Sequence, residues 1–183
     1  MNLTALLRVA LLRSVPIALT GLSGVLCERC GVINIAIEGM MLTGAFCSAL
    51  LGSLAANVWQ WSVWTSLVFG LMGGLAIGAL LGFLLGVMAV RFSVDQIVAG
   101  TAINILAIGI TSFLSARILA SFPRLNSPGI FPRVSVPLLA RIPLIGPVLF
   151  QQGPLVYLLF VLLPTIHAML FFTRWGLRTR AVG

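Results

Sequence analysis

The polar side chains that interrupt this apolar sequence are few, and two of them are spaced to act together. Asn34 and Glu38 are four residues apart, so they would share one face of a helix that begins after a turn at Gly31. The partial positive charge of a helix N-terminus favours a carboxylate there, and ionisable groups within membrane segments commonly mark a transport pathway. We therefore interpret both residues as candidate contacts of a polar solute. In the alternative, these residues form a helix cap plus a structural ion pair, with Arg29 or an arginine of another helix as the partner.

A second polar group lies further along the chain and offers hydrogen bonds instead of charge. It consists of Gln96, Thr101 and Asn104, and Thr101 lies near the face of Asn104, three residues earlier. An interhelical hydrogen bond worth about 1 kcal/mol is the alternative explanation for Asn104. The Ser93–Gln96 stretch predicts a capping box, in which the Ser93 hydroxyl and the Gln96 side chain satisfy N–H groups at a helix start. The three polar residues are candidates for lining or bracing a solute pathway.

The remaining reactive side chains argue against catalysis, a metal site and a cofactor. Cys27 and Cys30 have the spacing of a zinc half-site or a redox pair, but zinc takes four ligands and the single histidine, His167, lies far along the chain. We interpret the cysteines as small apolar fillers. Three acids and one histidine are too few and too scattered to form a catalytic constellation. The chain has no lysine, so it cannot form the phosphate-binding loop GxxxxGKS/T.

Composition sets the environment in which these groups must be positioned. Only 8% of the residues are charged and 60% are hydrophobic, whereas a soluble domain has roughly a quarter of its residues charged. We predict an all-α polytopic integral membrane protein with about five hydrophobic helical segments, each near the length of about 20 apolar residues that a span needs. The segments are Leu3–Leu26, Ile35–Ala56, Ser62–Val90, Gln96–Leu119 and Pro154–Phe172. The first is interrupted by Arg8, Arg13 and Pro16, so it is either a kinked span or an interfacial helix, giving four to five spans.

Glycines recur at every fourth position in the third segment. A four-residue step turns a helix by about 400°, so successive glycines lie close together and form a shallow groove. Such a groove permits close packing of a neighbouring helix, which is the interpretation we prefer over sliding between helices during a conformational cycle. The glycines are Gly70, Gly74, Gly78, Gly82 and Gly86.

Arginines and prolines indicate the sidedness of the chain. The net charge of +8 comes from arginines at the edges of apolar runs, where they anchor topology at lipid head groups, so we predict no nucleic-acid partner. Residues 120–152 are rich in proline and predict a long extracytoplasmic loop that packs over helix ends. Residues 174–183 predict a cytoplasmic tail. The arginine count balances between the two sides if the first segment spans, and favours the tail side if that segment turns back.

Three stretches resemble the signatures of bacterial ABC importer permeases of the nucleoside and simple-sugar branch, which is related to the ribose-type permeases. Leu22–Phe46 resembles LSGxxxERxGVxNIxxEGMMLxGAF, Asp95–Asn104 resembles DQIVxGxAIN, and Thr173–Gly183 resembles TxWGLxxRAVG. Cys30 stands where the pattern usually has a small residue. Members of the family continue past this last motif into a coupling helix and further spans, so the chain resembles the N-terminal part of a longer permease.

The resemblance implies a single transmembrane permease domain, 1–183, that translocates nucleosides or simple sugars across the bacterial inner membrane by alternating access. It implies three partners: an ATP-hydrolysing cassette subunit, a second permease subunit and an extracytoplasmic substrate-binding lipoprotein. The lipoprotein would meet the 120–152 loop, and the cassette subunit would meet the coupling region. That region comprises Arg174, Trp175, Gly176, Arg178 and Arg180. Two alternatives remain open, namely an ATP-independent channel or secondary carrier, and a truncated remnant that does not transport.

Overall fold

A computed structural model describes residues 3–132, 134–135 and 148–183. These residues form six α-helices, and a π-helical turn, Ser115–Leu119, continues the fourth of them. A 3-10 turn, Pro123–Asn126, follows. Two short strands, β1 (Val134–Ser135) and β2 (Gln151–Gln152), pair antiparallel, with Val134 opposite Gln152. The helices are α1 (Leu3–Glu28), α2 (Ile37–Asn57), α3 (Val63–Val90), α4 (Gln96–Leu114), α5 (Pro154–Phe172) and α6 (Arg174–Val182).

Five of these helices, α1 to α5, are long and apolar enough to cross a membrane, with α4 counted through its π-helical turn. Runs of apolar residues in lipid form helices because every backbone N–H and C=O must find its partner within the segment. The prediction of an all-helical polytopic membrane protein is confirmed. The fifth segment matches its predicted bounds, Pro154–Phe172, whereas α2 starts at Ile37 and not at Ile35.

The chain forms two compact units, one comprising Met1–Val32 with Phe131–Gly183 and the other Ile33–Ile130. In the first unit α1 is one continuous helix through Pro16. Its Val15 packs in a cluster with Val156 and Leu159 of α5. Near the start of α1, the Nη2 of Arg8 donates a hydrogen bond to the carbonyl of Gln151, 2.8 Å away and just before α5. These contacts show that α1 and α5 run in the same direction within this unit.

In the second unit α2 and α3 pack antiparallel through glycine backbones. A Cβ placed on Gly74 would lie 2.7 Å from the carbonyl oxygen of Gly44, and one placed on Gly70 would lie 3.0 Å from the Cα of Gly52. The later glycines of the predicted groove have no such neighbour among the described residues, since a Cβ there would meet nothing within 4 Å. These are Gly78, Gly82 and Gly86.

The two packed helices differ in length. With 28 residues α3 is about 42 Å long, and with 21 residues α2 is about 32 Å long, at 1.5 Å per residue. The hydrocarbon layer is about 30 Å thick, so α2 matches it while α3 must tilt or extend beyond it.

The described part of the proline-rich segment lies over the ends of α2 and α3 within the second unit. The Nδ2 of Asn57, the last residue of α2, donates to the carbonyl of Arg124 at 2.8 Å. Gly129 approaches Leu67 of α3, with 3.2 Å from a built Cβ to the leucine side chain. Residues 133 and 136–147 of the predicted loop, including Arg133 and Arg141, lie outside the described residues. Its extracytoplasmic location stays a prediction.

Candidate functional site

The candidate site is built on the chain that leads into α2, residues 33–39, which we call the entry turn. Its first residues are not helical, and Ala36 is the N-cap of α2 with no hydrogen bond from its own side chain. The expectation that Asn34 and Glu38 share a helix face is therefore wrong, because the helix begins only after Asn34. The half-buried Asn34 has its Nδ2 3.9 Å from the Sδ of Met40. Glu38 lies in the first helical turn with an exposed side chain, so it is not the cap.

Asn104 of α4 supplies the cap that α2 lacks. Its Oδ1 accepts a hydrogen bond from the backbone N–H of Gly39 at 2.7 Å, and its Nδ2 donates to the carbonyl of Ile35 at 2.9 Å. The Gly39 N–H belongs to the first turn of α2, where backbone donors have no partner inside the helix. One carboxamide therefore satisfies both a helix-end donor and a carbonyl of the preceding turn.

Gln96 binds the same entry turn from the start of α4. Its Oε1 accepts from the backbone N–H of Ile33 at 2.6 Å. The predicted capping box is wrong, because the N-cap of α4 is Asp95, whose Oδ1 accepts from Ile97 N at 2.8 Å and from Val98 N at 3.4 Å. Ser93, with φ of 51°, comes two residues too early to cap. Gln96 is thereby left free to bind a different segment.

Small residues let the entry turn lie directly against α4. Ala36 is fully buried, in a cluster with Ala99 and Ile103. A Cβ on Gly100 would lie 3.1 Å from the backbone nitrogen of Ala36, and one on Gly39 would lie 3.0 Å from the Cβ of Ala107. The sequence reasoning missed Gly39 and Gly100. A signal existed, since Ala99, Ile103 and Ala107 repeat at helical spacing beside Gly100 and Asn104.

The other polar candidates do not join this cluster. The exposed Thr101 donates its hydroxyl to the carbonyls of Ile97 and Val98 in its own helix, both at 2.9 Å. His167 belongs to α5 in the other unit, where its ring centroid lies 4.8 Å from that of Phe171. The structure thus brings together Gln96, Asn104 and the backbone next to Glu38.

The predicted coupling region is a short helix, α6, held tightly to the end of α5. Gly176 N donates to the Thr173 hydroxyl at 3.2 Å, which caps α6. Gly176 is buried so closely against the carbonyls of Met169 and Leu170 that a Cβ would collide with them. Arg180 donates its Nε to the Gly176 carbonyl at 3.2 Å, and its guanidinium lies 5.0 Å from the ring centroid of Phe171.

The outward face of α6 carries the remaining residues of that region. The side chains of Arg174, Trp175 and Arg178 are exposed. At the far end of α6, Gly183 abuts the turn at Arg29–Gly31, where Gly31 has φ of +75° and a Cβ on it would lie 3.2 Å from the Gly183 Cα. The first unit therefore places α6 beside the end of α1.

Residues 6–183 match the family described as branched-chain amino acid transport system, permease component. The chain belongs to this permease family. The resemblance to a permease is therefore confirmed, and so is the prediction that the chain is not an enzyme, since its relatives are named as transporter permeases. Family membership and the five apolar helices identify a multi-pass membrane protein.

Curated relatives are similar to this chain over nearly its whole length. It is 35% identical over 183 residues to the guanosine ABC transporter permease protein NupQ of Bacillus subtilis, covering 99% of this chain and 56% of that protein. It is 35% identical over 175 residues to the nucleoside ABC transporter permease protein NupC of Lactococcus lactis, covering 94% and 54%. A putative glucose ABC transporter permease of Haloferax volcanii, TsgC13, is 29% identical, covering 90% and 47%. The chain spans about half the length of these relatives, and no solved structure matches it.

Proposed function

We propose that the chain acts as the permease part of an ABC importer that moves nucleosides across the bacterial inner membrane by alternating access. The observation that carries this proposal is its 35% identity to relatives named as guanosine and nucleoside ABC transporter permeases. Simple sugars are the second candidate class of solute, since a relative named as a putative glucose ABC transporter permease is 29% identical.

The energy for this transport would come from a separate ATP-hydrolysing cassette subunit. The chain has no lysine and so carries no phosphate-binding loop of its own. The coupling region would contact that subunit on the cytoplasmic side. Its buried Gly176 and the Thr173 cap fix α6 to α5, while Arg174, Trp175 and Arg178 face outward. A rigid helix with an exposed basic face suits transmission of a movement from a neighbouring protein.

The solute would enter from the extracytoplasmic side of the membrane. Residues 120–152 would meet an extracytoplasmic substrate-binding lipoprotein, and Arg124 with Arg133 and Arg141 would suit an acidic surface, since the sequence has no acid after Asp95. A second permease subunit would complete the translocation path. Within this chain, Asn34, Glu38, Gln96, Thr101 and Asn104 would line or brace that path.

The test is uptake of radiolabelled guanosine by nucleoside-uptake-deficient bacteria that produce the chain together with its genomic neighbours. Uptake should stop when cellular ATP is depleted and should fall at least about tenfold in Glu38→Gln at equal membrane abundance. Uptake that survives ATP depletion and collapses with the ion gradient would replace the proposal by a secondary carrier. Thr165→Val is the control, because within the described part of the chain its hydroxyl bonds only to the Val161 carbonyl of its own helix.

A further inference from the structure

We propose that Asn104 and Gln96 are positioning residues that hold the Glu38 carboxylate toward the transported solute, and do not bind the solute themselves. This inference rests on the proposed function and deepens it, because it separates residues that touch solute from residues that act through Glu38.

Both polar atoms of the Asn104 carboxamide, and the oxygen of the Gln96 carboxamide, are already bonded to backbone. Asn104 uses its oxygen on Gly39 N–H and its nitrogen on the Ile35 carbonyl, at 2.7 and 2.9 Å. Gln96 uses its oxygen on Ile33 N–H at 2.6 Å. To bind a solute in the same way, these oxygens would have to release their backbone donors, which costs free energy unless another acceptor replaces the lost hydrogen bond.

The hydrogen bonds of Asn104 act on the backbone next to Glu38. The N–H of Gly39 belongs to the peptide group that joins Glu38 to Gly39, and the carbonyl of Ile35 belongs to the peptide group before Ala36. Asn104 therefore fixes one peptide plane directly attached to Glu38 and a second one turn earlier. The Glu38 side chain itself is exposed and leaves the helix next to this fixed plane.

Close packing against α4 leaves the backbone of the entry turn little room to move. Ala36 is fully buried, Gly100 lies against its backbone, and a Cβ on Gly39 would lie 2.7 Å from the Asn104 Oδ1. This packing keeps the turn against α4 when the Asn104 hydrogen bonds are lost, so their loss would change the direction of the Glu38 side chain without unfolding the turn or removing the carboxylate.

A double-mutant cycle on guanosine uptake tests this role. Asn104→Leu should raise the KM about tenfold while Vmax at equal membrane abundance stays within about twofold, and in a Glu38→Gln background the same change should alter KM less than about twofold. Gln96→Leu should behave like Asn104→Leu. Gln96→Glu should keep the KM of the unmodified protein, because a carboxylate oxygen can still accept the hydrogen bond from Ile33 N–H. An equal tenfold effect of Asn104→Leu in both backgrounds would overturn the proposal and make Asn104 a direct contact.

Asn57 provides the matched control. Its carboxamide also binds a carbonyl in another segment, that of Arg124, but at the other end of α2. Any effect of Asn57→Leu on KM should therefore add to that of Glu38→Gln.

Hydrogen exchange of the purified chain in lipid nanodiscs separates this inference from the proposed function. Peptides covering residues 33–39 should exchange at least about tenfold faster in Asn104→Leu than in Asn57→Leu, while α5 peptides keep their protection. Unchanged exchange in the entry turn would overturn the positioning role even if guanosine is imported. Absence of guanosine uptake by the unmodified protein would instead overturn the proposed function, and the exchange result would still report whether the carboxamides hold the turn.

Discussion

The two neighbours of α2 within its unit hold it by different means. Toward α3 the contact is glycine backbone on glycine backbone, with Gly74 against Gly44 and Gly70 against Gly52. Toward α4 the contact at the start of α2 combines small-residue packing with a side-chain carboxamide on backbone, that of Asn104 on Gly39 and Ile35. Close backbone packing has no side chain that can move aside, whereas a carboxamide can release its partners by rotating. The difference indicates that an added methyl group is harder to accommodate at the α3 contact than at the α4 contact.

The largest effect is expected at the glycine contact. Gly74→Ala puts a methyl group within 2.7 Å of a backbone carbonyl that cannot rotate away, so we expect a loss of roughly 1–3 kcal/mol in the free energy of unfolding. Gly82→Ala is the control on the same helix, because a Cβ there meets nothing within 4 Å among the described residues. It should leave stability unchanged or raise it by up to about 1 kcal/mol, since alanine favours a helix. Unfolding in a fixed detergent measures both, and equal losses would contradict the comparison.

A smaller and reversible effect is expected at the carboxamide contact. In Gly39→Ala the new methyl group would lie 2.7 Å from the Asn104 Oδ1, and we expect a loss of about 1–2 kcal/mol in unfolding free energy as the hydrogen bond to Gly39 N–H is displaced. When Asn104→Ala is already present, the added cost of Gly39→Ala should fall by about half or more. The contacts with the Ala107 Cβ and with the Cα of residue 104, both at 3.0 Å, account for the remainder. A cost that is the same in both backgrounds would show that the side chain does not yield.

The smallest effect is expected where the entry turn meets the helix surface of α4. A methyl group on Gly100 would lie 3.1 Å from Ala36 N and from the Ile35 Cβ, a distance that neighbours can relieve by small shifts. We expect Gly100→Ala to lower the unfolding free energy by about 0.5–1 kcal/mol. Gly109→Ala on the same helix has open space among the described residues and should be neutral or stabilising. Thermal unfolding of the Gly100→Ala and Gly109→Ala variants would measure the difference in stability between them and show its sign.

Sequence reasoning succeeded where one physical constraint dominates a whole segment. The lengths of the apolar runs identify the five long helices because lipid leaves the backbone no other partner. The interruption by Arg8 and Pro16 left the first segment open, and α1 nevertheless continues through Pro16 as one helix. Arg8 finds a carbonyl partner at Gln151, which local composition could not reveal.

Prediction from the sequence failed where the hydrogen-bond partner of a backbone group at a helix start was not the residue that the local pattern suggested. The start of α2 was placed too early because the pattern Asn34–Glu38 suits a helix, whereas the helix is capped by Asn104, 65 positions from Gly39. The capping box at Ser93 was placed two residues too early because Asp95 competes for the same N–H groups. Asn104 was recognised as a polar residue at depth. Its two partners could not be assigned, because they depend on which helices become neighbours.

The unequal lengths of α2 and α3 couple this helix pair to the lipid around it. A thin bilayer suits the 21 residues of α2 and forces the 28 residues of α3 to lean, whereas a thick bilayer lets α3 stand more upright. Since the glycine contact joins the two helices, any change in the lean of α3 also reorients α2. We therefore expect the length of the lipid acyl chains to change the orientation of α2, whose first turn carries Glu38.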